Sequence, residues 1–185
     1  MSILEMILIA IGLAMDASAV SMTAAAAGFV KDNRAIFRLA FHFGLFQALM
    51  PFIGWLLGST VVDYISMWDH WIAFILLAIV GSRMIYSGFF PDNHRLTVDP
   101  SKGWTLITLS IATSIDALAA GLSFSILHVN IWIPCLLIGV ITAILSALST
   151  RIGKTAGAWL GHRVEILGGL ILLGIGFRIL IIHLA

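Results

Sequence analysis

Six long apolar runs divide this sequence, and each has about the length that a helix needs to cross a lipid bilayer. Because a helix rises by about 1.5 Å per residue, about 20 apolar residues cross the hydrocarbon core. Only short polar segments separate the runs, so the sequence predicts an all-α membrane protein with six transmembrane helices. The predicted helices cover residues 3–24, 39–61, 71–90, 104–127, 131–149 and 165–183.

The composition indicates a chain that lies almost entirely in lipid. Hydrophobic residues make up 61% of the chain and charged residues only 10%, whereas roughly 25% of the residues in a soluble domain are charged. The formal net charge of +1 argues against a nucleic-acid partner, since phosphate binding needs a basic surface. The single cysteine, Cys135, can form no internal disulfide. We expect no resident cofactor, and a lipid bilayer as the surroundings.

Basic residues fall in alternate connections between the runs. Positive residues are enriched on the cytoplasmic side of inner-membrane proteins. The sequence therefore predicts that both termini lie on the periplasmic side of a bacterial inner membrane. The connections predicted to be cytoplasmic hold Lys31, Arg34, Arg38, Arg95, Lys102, Arg151, Lys154 and Arg163.

The two halves of the chain resemble each other in three places, which occur in the same order. Residues 11–19 match 111–119, the glycine pair 54 and 58 matches 153 and 157, and residues 81–85 match 176–180. Each half holds three helices, an odd number, so the second copy must be inverted in the bilayer. Such repeats are typical of secondary transporters, with the substrate site between them at the midplane. The predicted division is a first repeat at 1–90, a cytoplasmic linker at 91–103 and a second repeat at 104–185.

Two aspartates, Asp16 and Asp116, occupy equivalent places near the centres of the first and fourth runs. An ionised side chain at that depth costs at least about 2.5 kcal/mol, so each must face the protein interior and find a partner. Two carboxylates that share a dry site repel each other unless a cation lies between them or one is protonated. We therefore expect the pair to meet at mid-membrane and to hold a dication.

Oxygen-bearing side chains surround these positions, with Ser18 and Thr142 close by. Pro51 also frees a backbone carbonyl about one turn before it. A hard, oxygen-rich set suits Mg²⁺, Ca²⁺ or Mn²⁺ better than copper or a thiolate zinc site. The predicted ligands besides the two aspartates are Gln47, Thr113, Ser114, Ser21 and Ser146.

Arg83 and Arg178 fall at equivalent places in the third and sixth runs. We predict a gating or charge-balancing role for them. The alternative is that they pair with the aspartates as interior salt bridges in a membrane protein that transports nothing.

Enzymatic function is not indicated. Gly153-Lys154-Thr155 resembles the end of a phosphate-binding loop, but Leu148 stands where that loop needs glycine. The two motifs typical of intramembrane aspartyl proteases, Tyr-Asp and Gly-x-Gly-Asp, do not occur. The sequence therefore favours a secondary transporter that draws on ion gradients, with protons as the expected counter-ion.

The motifs at 12–21, 112–121, 69–74 and 165–170 resemble those of the bacterial manganese efflux pump family (the MntP type), which is placed near the lysine exporter superfamily. The resemblance extends over nearly the whole chain. It implies a six-helix inner-membrane protein that exports Mn²⁺ from the cytoplasm and depends on Asp16 and Asp116. Some family members carry an acidic residue where this chain has Gln47, which removes one negative charge here. The alternative is an exporter of another divalent cation or of an amino acid with the same fold.

Overall fold

A computed structural model describes residues 1–60, 69–89, 99–156 and 159–184. All the regular secondary structure in these ranges is helical. The helices, in chain order, are α1 (Ile3–Ala26), α2 (Asn33–Ser59), α3 (Asp69–Phe89), α4 (Gly103–Thr113), α5 (Ile115–Ile126), α6 (Trp132–Ala156) and α7 (Trp159–Leu184).

The predicted membrane class is confirmed, with six long helices when α4 and α5 are taken together. Within the described ranges, four helices are long and apolar enough to cross a membrane: α1, α2, the α4–α5 pair and α6. Helix α2 begins six residues before its apolar run because the carboxylate of Asp32 accepts a hydrogen bond from the Ala35 N–H at 2.8 Å. Hydropathy marks the part of a helix that lies in lipid, whereas capping marks where the helix begins.

The fourth predicted span is broken, which the apolar pattern did not predict. Ser114 has φ −107° and ψ 1°, outside helical geometry, and separates α4 from α5. Three side-chain hydrogen bonds compete with the helical ladder at this point. The hydroxyl of Thr113 donates to the carbonyls of Leu109 and Ser110, and that of Ser114 donates to the carbonyl of Ser110 at 2.7 Å. The equivalent part of α1 is continuous.

Glycines allow the helices to approach one another closely. Helix α1 packs on α6 and α7, α2 packs on α5 and α6, and α3 packs on α7. Where α2 crosses α6, a Cβ placed on Gly44 would lie 2.8 Å from the Gly139 carbonyl oxygen and 2.9 Å from the Ala143 Cβ. A Cβ on Gly121 would overlap the backbone of Pro51. These helices can therefore cross so closely only because glycine has no side chain.

The turns after α1 and α5 share the same backbone hydrogen bonds. Gly28 N–H donates to the Ala25 carbonyl, as His128 N–H does to the Ser125 carbonyl, and both distances are 3.0 Å. Gly28 and His128 both have positive φ, of 82° and 52°. The two turns lie the same distance apart in sequence as Asp16 and Asp116, which is the spacing that the predicted duplication would give.

Candidate metal site

Gln47 ties three helices together at one point in the interior. Its side chain is fully buried, and its Nε2 donates to the carbonyl oxygen of Leu13 in α1 at 3.2 Å and to that of Thr113 in α4 at 2.9 Å. Leu13 and Thr113 each precede an aspartate by three residues, Asp16 and Asp116 respectively. One amide therefore holds the two equivalent motifs at a common level.

Asp16 follows Leu13 by about 4.5 Å along the axis of the continuous helix α1, and helical side chains tilt toward the N-terminus, here toward the residue that Gln47 contacts. Asp116 instead follows the break between α4 and α5. Asp116 is 4% exposed and lies in the first turn of α5, where the helix dipole favours a carboxylate. Asp16 is partly buried in the middle of α1. Both aspartates take part in hydrogen-bonding or electrostatic interactions, so neither is an isolated charge.

Five buried side-chain oxygens of α1, α2 and α6 differ from the other buried polar groups that the structure describes. Each has no hydrogen-bond partner among the described residues, and each belongs to a residue that is at most 2% exposed. Buried polar groups are nearly always paired, because an unpaired one costs about 1–3 kcal/mol. A buried oxygen without a partner is free to bind a ligand. They are Ser18 Oγ, Ser21 Oγ, Gln47 Oε1, Thr142 Oγ1 and Ser146 Oγ.

The predicted ligands separate into two groups. Gln47, Ser21 and Ser146 are among the five unpaired oxygens. The hydroxyls of Thr113 and Ser114 instead bond the backbone at the break between α4 and α5, although the Thr113 carbonyl meets Gln47.

Ser18 and Thr142, which the sequence placed beside the site without assigning them to it, belong to the unpaired group. Ser18 lies three residues before Ser21, and Thr142 lies four residues before Ser146. This helical spacing is the sequence signal that links them to the predicted ligands.

Pro51 lies one helical turn after Gln47 within α2. Proline has no N–H, so the Gln47 carbonyl lacks its usual helical donor. Gln47 therefore offers two oxygens, Oε1 and the backbone carbonyl, while its Nε2 is used to hold α1 and α4. A single residue can thus fix the site geometry and also contribute ligands.

The contacts where α2 crosses α6 are reciprocal. A Cβ placed on Gly44 would lie 2.9 Å from the Ala143 Cβ, and one placed on Gly139 would lie 2.8 Å from the Ala48 Cβ. Pairing Gly44 with Gly139 aligns Gln47 with Thr142. The sequence match of the glycine pair 54 and 58 with 153 and 157 would instead align Gln47 with Ser146, one turn later.

Among the described residues, no three His, Cys, Asp or Glu side chains cluster closely enough to hold a metal. Gln47 Oε1 and the unpaired hydroxyls are neutral oxygens that could join Asp16 and Asp116 around a metal. Carboxylates with neutral oxygens are the kind of donor set that suits a hard dication.

The structure describes the side chain of only one of the two arginines that were predicted to gate the site or balance its charge. Arg178 is largely exposed and pairs with the carboxylate of Glu5 in the first turn of α1, about three turns before Asp16. The side chain of Arg83 lies outside the described part of the structure. The gating or charge-balancing role of both residues stays a prediction.

Comparison with known proteins gives the family. The family model described as "Putative manganese efflux pump" matches residues 30–180. The chain belongs to the MntP family. Relatives named "Putative manganese efflux pump MntP" include one from Syntrophotalea carbinolica, 49% identical over 176 residues, which covers 95% of this chain and 94% of the relative. Another, from Nitratidesulfovibrio vulgaris, is 47% identical over 186 residues, or 99% and 92% of the two chains.

A third MntP relative, from Citrifermentans bemidjiense, is 50% identical over 176 residues, which covers 95% of this chain and 94% of that protein. No solved structure matches the chain significantly. The relatives therefore match this chain over nearly its full length, including α1, which precedes the residues that the family model matches.

Proposed function

We propose that this protein is a secondary transporter that exports Mn²⁺ from the cytoplasm across the bacterial inner membrane. The observation that carries the proposal is the pair of hydrogen bonds from Gln47 Nε2 to the carbonyls of Leu13 and Thr113, each three residues before one of the two aspartates. The names of the full-length relatives support manganese as the substrate.

The two aspartates balance the charge of a dication, and neutral oxygens complete its coordination. A site with two carboxylates, an amide oxygen and hydroxyls can replace part of the hydration shell of Mn²⁺. When the metal leaves, the two carboxylates repel each other, and protonation of one relieves that repulsion. Protons are therefore the counter-ion that this arrangement favours.

Inverted repeats provide the alternating access. The equivalent turns after α1 and α5, and the reciprocal contacts of Gly44 and Gly139, support two related halves. In the proposed topology both termini are periplasmic, so the turn at Gly28 lies on the cytoplasmic side and the turn at His128 on the opposite side. Rocking of one half against the other would expose the central site to each side in turn.

The test measures Mn²⁺ flux into proteoliposomes, with and without a pH gradient. Asp16→Asn and Asp116→Asn keep the side-chain size and remove the charge, and we expect each to lower flux by at least about tenfold, the effect of about 1.4 kcal/mol. The matched control is Ser123→Ala, a buried serine of α5 whose hydroxyl already bonds the Ala119 carbonyl. Flux at the wild-type level in both asparagine variants would contradict the site.

Competition by Ca²⁺, Cd²⁺ and lysine in the same assay separates the substrate classes. Strong inhibition by lysine would favour the amino-acid exporter, and equal inhibition by every dication would favour a general cation exporter. An amino-acid site would need a group for the α-carboxylate, for which Arg83 is the candidate, so inhibition by lysine is the arm that decides between these classes.

A further inference from the structure

Two adjoining cavities lie where α2 and α4 begin. The first, of about 470 Å³, is polar and is lined by Lys31, Asp32, Arg38, Asp99 and Lys102, among others. The second, of about 320 Å³, has apolar walls. Because Arg38 and Lys102 line both cavities, they stand at the boundary between a charged compartment and an apolar one.

Among the residues that the structure describes, those lining the polar cavity carry an excess of positive charge. It holds three cationic side chains, Lys31, Arg38 and Lys102, against the carboxylates of Asp32 and Asp99. Asp32 already caps α2 through the Ala35 N–H. Both carboxylates therefore have partners, and an added anion would be attracted rather than repelled.

Asp99 is held in place by its neighbours. It accepts hydrogen bonds from the N–H and the hydroxyl of Ser101, at 2.9 and 2.7 Å, and it lies 3.1 Å from the Lys102 ammonium. Partial burial raises the pKa of Asp99, but these hydrogen bonds and the charge of Lys102 outweigh it, so the pKa lies below its usual value. Asp99 is therefore ionised at neutral pH and fixes Lys102 at the cavity boundary.

The second cavity continues from these cations along the side of α4. Its apolar wall is formed by Trp104, Leu106 and Ile107. Trp104 is 82% exposed, and a tryptophan at the end of a membrane helix is typical of the headgroup level of a bilayer. The pair of cavities thus has a cationic end and an apolar end, the latter beside a tryptophan typical of the headgroup level.

We propose that these cavities bind an anionic phospholipid, with its phosphate between Arg38 and Lys102 and an acyl chain along Trp104 and Ile107. A guanidinium offers several N–H donors to phosphate oxygens, and basic pockets at the ends of membrane helices recognise anionic headgroups. A zwitterionic lipid suits the site less well, because its own ammonium would meet the cations. The proposal requires only that this end of the bundle lies at a membrane surface, and it is independent of the ion carried.

The site lies at a junction between the two halves of the chain. Arg38 Nε donates to the Ser101 carbonyl at 2.9 Å across 63 residues of sequence, which links α2 to the segment that leads into α4. A phosphate held by Arg38 and Lys102 would add a second link between the same two elements. The bound lipid would therefore stabilise the contact between the halves.

The experiment is native mass spectrometry of the full chain in detergent with equal amounts of phosphatidylglycerol and phosphatidylethanolamine of the same acyl chains. We expect wild type to retain the anionic lipid preferentially, and Lys102→Gln to lower that preference about fivefold. Lys102→Gln is informative because it leaves the Arg38–Ser101 hydrogen bond in place. The matched control is Arg151→Gln with Lys154→Gln, two exposed cations near the end of α6, which should keep the preference.

Further variants separate a lipid from a free anion. Trp104→Ala should weaken retention of the lipid, and excess inorganic phosphate should not displace it, because the acyl chain contributes to binding. Displacement by inorganic phosphate alone would assign the site to a free anion and overturn the proposal, as would equal retention of the two lipids by wild type. Asp16→Asn should keep the lipid preference whatever it does to manganese flux.

Discussion

At the scale of single residues, buried hydroxyls in the bundle fall into two kinds. Ser110 and Thr150 donate to backbone carbonyls of their own helices, as buried hydroxyls in membrane helices usually do. Ser18 and Ser21 in α1 are equally buried and have no partner in the described structure. Because an unpaired hydroxyl destabilises the fold, their presence favours a role in binding a ligand.

This difference leads to opposite expectations for stability and transport. Replacing Ser18 or Ser21 with alanine should stabilise the protein by up to about 1 kcal/mol, because it removes an unpaired polar group. The same variants should lower Mn²⁺ flux and reduce the rise in melting temperature that Mn²⁺ produces. The melting temperature in detergent and the proteoliposome flux measure the two effects.

The control for these serines is Ser123→Ala, which removes a paired hydroxyl. It should destabilise the protein by about 1 kcal/mol and leave flux unchanged. If Ser18→Ala and Ser21→Ala behave like this control, the hydroxyls are structural.

The sequence predicted the residue types of the candidate site but not the contacts between them. Asp16 and Asp116 were predicted because a carboxylate in an apolar run is costly. Gln47 was predicted as a ligand, but its amide hydrogen bonds could not be, because the accepting carbonyls of Leu13 and Thr113 belong to two other helices. A backbone carbonyl has no sequence signature, so only the fold shows which one a side chain meets.

At the scale of helices, the apolar runs predicted where helices cross the membrane and missed the break at Ser114. Hydropathy measures the transfer of side chains into lipid and contains no information about backbone hydrogen bonds. The break depends on hydroxyls that bond carbonyls of the preceding turn, and serine or threonine at similar positions in other helices leaves the ladder intact. Thr150, for example, bonds back to Ser146 within a continuous helix.

The crossing of α2 and α5 provides a test at the same scale. A Cβ on Gly121 would overlap the backbone of Pro51, which cannot move without shifting α2. Gly121→Ala should therefore destabilise the protein by about 1–3 kcal/mol, the usual cost of overpacking, and reduce transport because Gln47 lies one turn from Pro51. Thermal unfolding in detergent measures the first effect and Mn²⁺ flux the second.

The matched control is Gly174→Ala in α7, where an added Cβ would meet no atom of the described residues within 4 Å. This variant should fold and transport as wild type does. Similar stability of the Gly121 and Gly174 variants would mean that the α2–α5 contact is looser than the structure shows.

At the scale of the whole molecule, two turns with the same backbone hydrogen bonds are expected on opposite sides of the membrane. The turn after α1 and the turn after α5 are equivalent, and an inverted repeat must place them on different faces. The charges agree with this arrangement: Lys31 and Arg34 follow the first turn, whereas no Lys or Arg lies between the second turn and Arg151. A parallel duplication would place both turns on one face.

Labelling of single cysteines distinguishes these arrangements. With Cys135→Ser as the background, Ala27→Cys and Asn130→Cys place one thiol at each turn, and both positions are exposed. In intact cells, a membrane-impermeant maleimide should label Asn130→Cys and should reach Ala27→Cys only after the membrane is permeabilised. Labelling of both positions from outside would rule out inversion of the second half of the chain. Asp16 and Asp116 could then not approach Gln47 from opposite directions. Labelling of Ala27→Cys alone would keep the repeat and reverse its orientation, so the positive residues would then face the periplasm, against their usual distribution.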